Sequence, residues 1–276
     1  MPEPVKIYAI CLIKNEADVI ADCLRHAVQF CDRIFVLDNG STDGSWEIVH
    51  SLASIHEQIV VEGQLKETFR DGMRSIVYNR HHRELSDHDW WLRLDADEFL
   101  VGDPRPVLAK ANREHADFVT AWQLQFYYTD ADFRHWETEK LSLDFPITQR
   151  RRFYSINWRE FRFFRNQRDP AWVEDQAPQW PNGLTRVCSE RIFNRHYSYR
   201  TPDQIKGKLK SLLGHAQFRH VGSGDWTSRI VPAKGLHFYH EGIPPRLNQF
   251  NYYRKRLRMV RITLCGRLKR ILRRSR

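Results

Sequence analysis

An apolar run that ends in a cluster of carboxylates is the feature that most constrains how this chain folds. Trp90–Leu94 reads Trp-Trp-Leu-Arg-Leu, and Asp95, Asp97 and Glu98 follow it directly. Short apolar runs are typical of buried strands in α/β proteins, and the carboxyl ends of such strands open onto the ligand crevice. Because side chains alternate along an extended chain, Asp95 and Asp97 point the same way. The stretch predicts either an acidic ligand site or a solvated turn.

A metal ion is the usual companion of carboxylates placed this close together. Two neighbouring carboxylates repel each other and raise each other's pKa unless a cation lies between them. Mg²⁺ and Mn²⁺ prefer oxygen ligands and commonly complete their coordination with substrate phosphates. Asp95 and Asp97 are therefore candidate ligands for Mn²⁺ or Mg²⁺, whereas we interpret Glu98 as polar packing.

Other apolar runs before this strand alternate with helical patterns. Strands are predicted over Val5–Ile13, Asp32–Leu37 and Gln58–Val61, and helices over Ala17–Phe30, after a cap at Ser41, Thr42 or Asp43, and over Asp71–Leu85. This alternation predicts an α/β fold with a parallel, doubly wound sheet. Beyond the acidic stretch, a helix is expected over Pro104–Asn112 and a strand over Phe118–Tyr128.

Three polar clusters follow three of the predicted strands. They are Lys14-Asn15-Glu16, Asp38-Asn39-Gly40 and Asp95-Ala96-Asp97. Because ligands bind beyond the carboxyl ends of parallel strands, this convergence favours a binding site over a solvated turn. No Gly-x-Gly-x-x-Gly motif follows the first strand and no phosphate loop of the P-loop type occurs, which disfavours a dinucleotide fold and a P-loop kinase.

As a set, these motifs resemble those of family 2 glycosyltransferases of the GT-A fold, over about the first hundred residues. The resemblance implies a nucleotide-sugar donor and a transfer that inverts the anomeric centre. It also implies that Asp38 contacts the nucleobase near Asn15, that Asp95 lies near the ribose and the metal, and that Asp97 binds the metal on the diphosphate.

The resemblance suggests two more donor contacts, Arg74 and Asn79, for which an exposed helix face is the alternative. A His-Tyr-x-Tyr-Arg segment before a predicted helix resembles a bacterial branch of these transferases. In that segment His196 is a candidate third metal ligand or pyrophosphate contact, or a structural histidine at a strand end. Thr201 and Gln204 form a capping-box pattern at the start of the helix.

The acceptor half of the chain is less legible. A general base must reach the acceptor hydroxyl directly or through one water, and the candidates are Asp175 and Glu174, with Glu160 and Asp169 more remote. Phe153–Arg168 is rich in arginine and aromatic residues. It is either a grip for an acidic acceptor or a strand pair with a solvated basic face.

The basic charge of the chain is concentrated at its C-terminus. Residues 254–276 hold eleven Lys or Arg and no Asp or Glu, so with a formal charge of +10 for the whole chain the rest is close to neutral. The apolar spacing in this tail predicts a basic amphipathic helix that lies on an anionic membrane surface. A flexible cationic tail and RNA contact are the alternatives.

Together these patterns predict a transferase domain over 1–245, with a nucleotide-sugar half over about 1–100 and an acceptor half over about 101–245, and a tail over 246–276. The expected acceptor is a glycan or lipid-linked molecule in bacterial surface polysaccharide synthesis. Five unpaired-looking cysteines and the absence of a signal sequence indicate the cytoplasm. The alternatives are a sugar nucleotidyltransferase, a nucleic-acid binder that acts through the tail, and a glycan-binding relative without activity.

Overall fold

The structure is a computed structural model that describes residues 5–134, 145–169, 171–176, 179–213, 225–243 and 245. Its strands are β1 (Ile7–Ile13), β2 (Arg33–Asp38), β3 (Ile59–Gln64), β4 (Trp90–Leu94), β5 (Glu98–Val101), β6 (Phe118–Phe126), β7 (Phe153–Arg165), β8 (Val187–His196) and β9 (His237–Phe238). Its α-helices are α1 (Ile20–Ala27), α2 (Ser45–Ala53), α3 (Arg74–His81), α4 (Arg105–Arg113), α5 (Asp130–Arg134), α6 (Ile147–Arg150) and α7 (Pro202–Leu213). The tail predicted over 246–276 lies outside the described residues.

All nine strands belong to one sheet, in the order β3-β2-β1-β4-β7-β6-β8-β5, with β9 paired to β7. The first four strands are mutually parallel, as the sequence predicted. From β7 onward the sheet is mixed, because β7 runs antiparallel to both β4 and β6 whereas β6 and β8 are parallel. The parallel half carries the three predicted polar clusters at its carboxyl ends.

Helices cover both faces of the parallel half, which explains why β1 is apolar at every position. Alternate β1 residues Ile7, Ala9, Cys11 and Ile13 belong to the core under α1, α2 and α4. The intervening Tyr8, Ile10 and Leu12 belong to a second core under α3. A strand buried on both faces needs no polar alternation.

Two predicted elements differ from the observed ones. The helix expected over Asp71–Leu85 is a 3₁₀ turn, then α3, then a second 3₁₀ turn. The strand pair expected within Phe153–Arg168 is one continuous strand, β7, because it is long enough to pair with β4, β6 and β9 along its length. Within the described residues no helix is both long and apolar enough to cross a membrane.

A buried histidine on α1 links stability to pH. The ring of His26 packs against Phe30 and Phe99, with centroids 5.4 and 5.6 Å apart. Burial, followed by the charge of Arg195, lowers the pKa of His26 from 6.5 to about 4. Because this folded-state pKa lies below the ordinary value, the stability that the neutral ring contributes is complete above pH 6.5 and is lost as the pH falls towards 4.

Lowering the pH from 7.5 to 4.5 should therefore reduce the free energy of unfolding less in His26→Leu than in the wild type. The expected difference is about 2–3 kcal/mol. Urea unfolding at both pH values measures the difference. His88→Leu, at an exposed position, is the control and should follow the wild type. Equal acid-induced losses in the two variants would contradict the assignment.

Candidate functional site

A cavity of about 800 Å³ lies at the carboxyl ends of β1, β2 and β4. Part of every predicted polar cluster lines it, and the end of β8 and helix α7 form the remaining wall. Its charged and polar lining residues include Lys14, Asn15, Glu16, Asp18, Asn39, Arg74, Arg93, Asp95, Asp97, His196, Gln204 and Lys208. The convergence expected from the parallel strands is therefore what the fold produces.

Asn15 lines the cavity and ties two of its loops together. Its backbone has φ +56°, a left-handed conformation that asparagine tolerates better than most residues. Its side-chain oxygen accepts a hydrogen bond from the Thr42 N–H at 2.8 Å, and its own N–H donates to Ser41 Oγ at 2.9 Å. The residue thus fixes the loop after β1 against the loop after β2.

Asp38, the predicted nucleobase contact, is fully buried and is not among the residues that line the cavity. Its carboxylate accepts hydrogen bonds from the N–H and hydroxyl of Ser41 and from Gln64 Nε2 at 2.8 Å. The next residue, Asn39, does line the cavity. In this geometry Asp38 shapes the loop after β2, so its contact with a base stays a prediction.

Asp95 is surrounded by arginines. One carboxylate oxygen lies 2.6 Å from Arg74, and the other lies 2.9 Å from Arg162 and 3.9 Å from Arg93. Burial opposes ionisation, yet Arg93, Arg162 and Arg74 outweigh it and hold the pKa of Asp95 well below its usual range. Both oxygens lie beside guanidinium groups, so Asp95 anchors this cluster, and its role as a metal ligand stays a prediction.

Asp97 has a different set of neighbours. His196 Nε2 lies 3.6 Å from its Oδ1, and Arg200 and Lys208 each lie 3.5 Å from its Oδ2. Burial acts to raise the pKa of Asp97, but His196, Lys208 and Arg200 lower it well below its usual range. Burial lowers the pKa of His196, but Asp97 and Glu98 together raise it more, so the net direction is upward.

The Asp97–His196 pair fits a divalent cation as part of its shell. A carboxylate and an imidazole are acceptable ligands for Mn²⁺, and Mg²⁺ is usually held by only one or two carboxylates together with phosphates and water. A bound metal would take the place of the proton on the imidazole. Within the part of the chain that the structure describes, no group of three or more such ligands occurs.

Arg74 and Asn79, the two predicted contacts with the sugar donor on α3, differ in their position relative to the cavity. Arg74 is 2% exposed, lines the cavity and links Asp95 to Asp71. Asn79 instead bonds the backbone of Trp172, accepting from its N–H and donating to its carbonyl, both at 2.8 Å. Asn79 therefore secures the loop around Trp172 and is not among the residues that line the cavity.

The two candidate bases, Glu174 and Asp175, are also outside the cavity lining. Glu174 is bound by Arg70, with Oε1 2.7 Å from Nε. It also packs directly on Gly72, where an added Cβ would lie 2.2 Å from the Glu174 Cγ. Asp175 is exposed. The role of either residue as a base stays a prediction.

Three cationic residues at the site were not predicted in their observed roles. Arg162 was expected either to grip an acidic acceptor or to lie on a solvated face, yet it is 2% exposed and bridges Asp95, Glu98 and Glu160. Arg200 is fully buried among Glu16, Asp18 and Asp97. Lys208 lies on α7 and faces the cavity. No local pattern marked Arg162, because arginine and phenylalanine occur together on both faces of β7.

The model of the family described as "Glycosyl transferase family 2" matches residues 9–174, which is more than half of the chain. The chain belongs to glycosyl transferase family 2. The predicted resemblance and the α/β fold class of GT-A type are therefore confirmed, and this glycosyltransferase domain contains β1 to β7 together with the motifs at their ends.

Solved structures similar to this glycosyltransferase are distant. They include a mannosyltransferase from Pyrobaculum calidifontis in complex with GDP-Man and Mn²⁺, at 14% identity and a TM-score of 0.44 over 80% of this chain. GalNAc-T7 with UDP, GalNAc and Mn²⁺ is 9% identical, with a TM-score of 0.37 over 47% of this chain. A putative glucose-1-phosphate thymidylyltransferase from Bacillus anthracis is 13% identical, with a TM-score of 0.31 over 44% of this chain. The chain covers less than two thirds of each, 66%, 24% and 55% respectively.

Proposed function

We propose that this chain transfers a sugar from a nucleotide-sugar donor, bound in the cavity, to a hydroxyl group of an acceptor. The observation that carries the proposal is the convergence of cationic and metal-ligating side chains at the carboxyl ends of β1, β2 and β4. Membership of the glycosyltransferase family narrows the chemistry of that cavity to sugar transfer. A volume of about 800 Å³ is within the range of small-molecule sites.

Four cationic side chains, which lie among seven carboxylates in the cavity lining, suit a diphosphate. Lys14, Arg74, Arg93 and Lys208 all line the cavity, and charge-assisted hydrogen bonds from such groups to phosphate oxygens are strong. The Lys208 side chain is partly exposed, and its ammonium group lies 3.5 Å from Asp97 Oδ2. The leaving diphosphate gains negative charge as the sugar departs, so a fixed ammonium at that point stabilises the transition state more than the ground state.

Phe69 is a candidate platform for the nucleobase. It lines the cavity and is 40% exposed. Aromatic faces bind bases by stacking, which tolerates different bases. In this arrangement the base lies against Phe69 while Lys208 and Arg74 contact the phosphates.

Mn²⁺ or Mg²⁺ is the expected cofactor, held by Asp97 and His196. When bound, it would stabilise the negative charge on the diphosphate as a Lewis acid. The protein's own contribution is to fix these two ligands, through Arg200 and Lys208 beside Asp97, and to hold the loop after β1 in place through Asn15.

The acceptor and the setting extend the proposal. The acceptor is a glycan or lipid-linked molecule, and transfer inverts the anomeric centre in bacterial cell-envelope synthesis on the cytoplasmic side. The transferase domain spans 1–245, and the basic segment 246–276 binds an anionic membrane surface. Eleven Lys or Arg without an acidic residue over 254–276 support the last point.

The function is tested by incubating the protein with UDP-, GDP-, ADP- and dTDP-sugars and p-nitrophenyl hexosides, with Mn²⁺, with Mg²⁺ and with EDTA. Release of one nucleoside diphosphate, faster with a divalent metal, is the expected result. No release with any donor would overturn the proposal.

Lys208→Ala should lower the rate of this release by about 10–100-fold, since a hydrogen bond to a charged group contributes about 1.5–3 kcal/mol. Lys206→Ala is the matched control. It lies on the same helix, is 53% exposed and pairs with Asp203. Equal rates in the two variants would contradict the assignment of Lys208 to the phosphates.

A further inference from the structure

A strip of side chains on β7 leads away from the donor cavity. β7 is antiparallel to β4, with Phe163 opposite Leu92, and its register against β6 shifts at Arg162. Arg162 lies 2.9 Å from Asp95 Oδ2 and is in direct contact with Glu160 Oε2. The Arg162 guanidinium thus connects Glu160 to Asp95, which lines the cavity.

Trp158 extends the same strip to the surface. Trp158 Nε1 donates a hydrogen bond to Glu160 Oε1 at 2.5 Å. The Trp158 ring is 37% exposed and its centroid lies 6.5 Å from that of His196, which lines the donor cavity. An exposed aromatic face and a partly exposed carboxylate therefore adjoin the cavity.

We propose that Trp158 and Glu160 form the acceptor subsite, in which Trp158 packs against a sugar ring and Glu160 accepts the proton of the attacking hydroxyl. Aromatic rings provide large, rigid apolar faces with defined orientation, which suits the flat side of a pyranose. A carboxylate acts as a base when it lies within hydrogen-bond reach of the proton that it removes. The inference rests on the proposed transferase function and assigns its acceptor class, a carbohydrate hydroxyl.

In the transfer step one bond forms at the anomeric carbon and one breaks. The acceptor oxygen forms a bond to the anomeric carbon, and the bond between that carbon and the diphosphate oxygen breaks. The electron pair of the broken bond leaves with the nucleoside diphosphate. The hydroxyl proton passes to Glu160, and from there to solvent when the product departs.

Glu160, the more remote candidate from the sequence, fits this role better than Glu174. Trp158, Arg162 and Gln123 Nε2 (3.3 Å) all hold its two oxygens in position, while its side chain remains 39% exposed. Glu174 is 25% exposed, is engaged by Arg70 and packs on Gly72. Glu160→Gln and Glu174→Gln are therefore matched isosteric variants that separate the two assignments.

The test measures nucleoside diphosphate release from the donor that the wild type accepts, with water and with p-nitrophenyl hexosides as acceptors. Glu160→Gln should be about 10²–10⁴-fold slower, while the donor raises its unfolding midpoint as much as in the wild type. Glu190→Gln, at a glutamate that is 48% exposed and pairs with Lys110, is the control and should keep wild-type rates. Full activity in Glu160→Gln, or an equal or larger loss in Glu174→Gln, would overturn the inference. A wild type that releases nothing would instead overturn the transferase function and the inference with it.

Trp158 gives a second measurement that does not depend on the folding of Glu160→Gln. Trp158→Ala should raise KM for the hexoside acceptor at least tenfold and leave the donor-induced midpoint shift unchanged. Trp158→Phe should restore most of the acceptor affinity because it keeps an aromatic face. An unchanged acceptor KM in Trp158→Ala would remove Trp158 from the subsite.

Discussion

Replacement of Arg200 by methionine is expected to lower the free energy of unfolding by about 3–5 kcal/mol. Arg200 is fully buried and contacts Glu16 at 2.5 Å, Asp18 at 2.8 Å and Asp97 at 3.5 Å. Methionine fills a similar volume but leaves three carboxylates without their shared cation. Removing one partner of a buried ion pair is costly because the remaining charge is then unpaired in a low-dielectric environment.

The loss has a structural consequence for the site. Arg200 precedes α7, whereas Glu16 and Asp18 follow β1. This arginine therefore joins the cavity wall formed by α7 to the wall formed by the loop after β1. Urea unfolding measures the change. Arg83→Met is the control, since Arg83 and Asp169 are 75% and 80% exposed and exposed pairs contribute less than ~1 kcal/mol. A loss in Arg200→Met as small as in the control would show that the cluster is not a stabilising one.

Asp97→Asn is expected to slow nucleoside diphosphate release by about a hundredfold or more. The substitution removes a negative charge that faces His196, Lys208 and Arg200 and weakens the proposed metal position. A metal that acts as a Lewis acid contributes several kcal/mol to transition-state stabilisation, and about 2.7 kcal/mol corresponds to a hundredfold change in rate.

Asp103→Asn provides the comparison for this prediction, because Asp103 is 54% exposed, pairs with Arg105 and is not among the residues that line the cavity. Steady-state rates at saturating Mn²⁺ and donor measure both variants. If Asp97→Asn stays within a few-fold of Asp103→Asn, Asp97 takes no part in the reaction.

The parallel half of the fold was predictable because its signals are local. Strands buried on both faces are apolar at each position, as in β1, or nearly so, as in β4 with its single Arg93, and the polar residues that end them had to meet at one edge of the sheet. The sequence pattern alone therefore predicts that Asn15, Asp95 and Asp97 share one cavity, as they do. It could not show that the Asp38 carboxylate accepts hydrogen bonds from Ser41 and Gln64.

The partners of the charged residues were not predictable, because they are distant in sequence. Arg162 meets Asp95 across 67 residues and Arg200 meets Asp18 across 182. No periodicity or motif reports such a pairing, which depends on the order of strands in the mixed half of the sheet. Glu160 was a remote candidate from the sequence, but its link to Asp95 through Arg162 was not predictable for the same reason.

Binding of a nucleotide-sugar to the cavity is the central claim, and the unfolding midpoint of the wild-type protein tests it most directly. The midpoint should be measured alone and with UDP-, GDP-, ADP- and dTDP-sugars, each with and without Mn²⁺. A ligand that binds only the folded state at about 100 times its dissociation constant adds about 2.7 kcal/mol of stability. We predict a clear, metal-enhanced rise of the midpoint with the sugars of one nucleotide. An unchanged midpoint with every donor, in the presence and absence of Mn²⁺, would contradict the account.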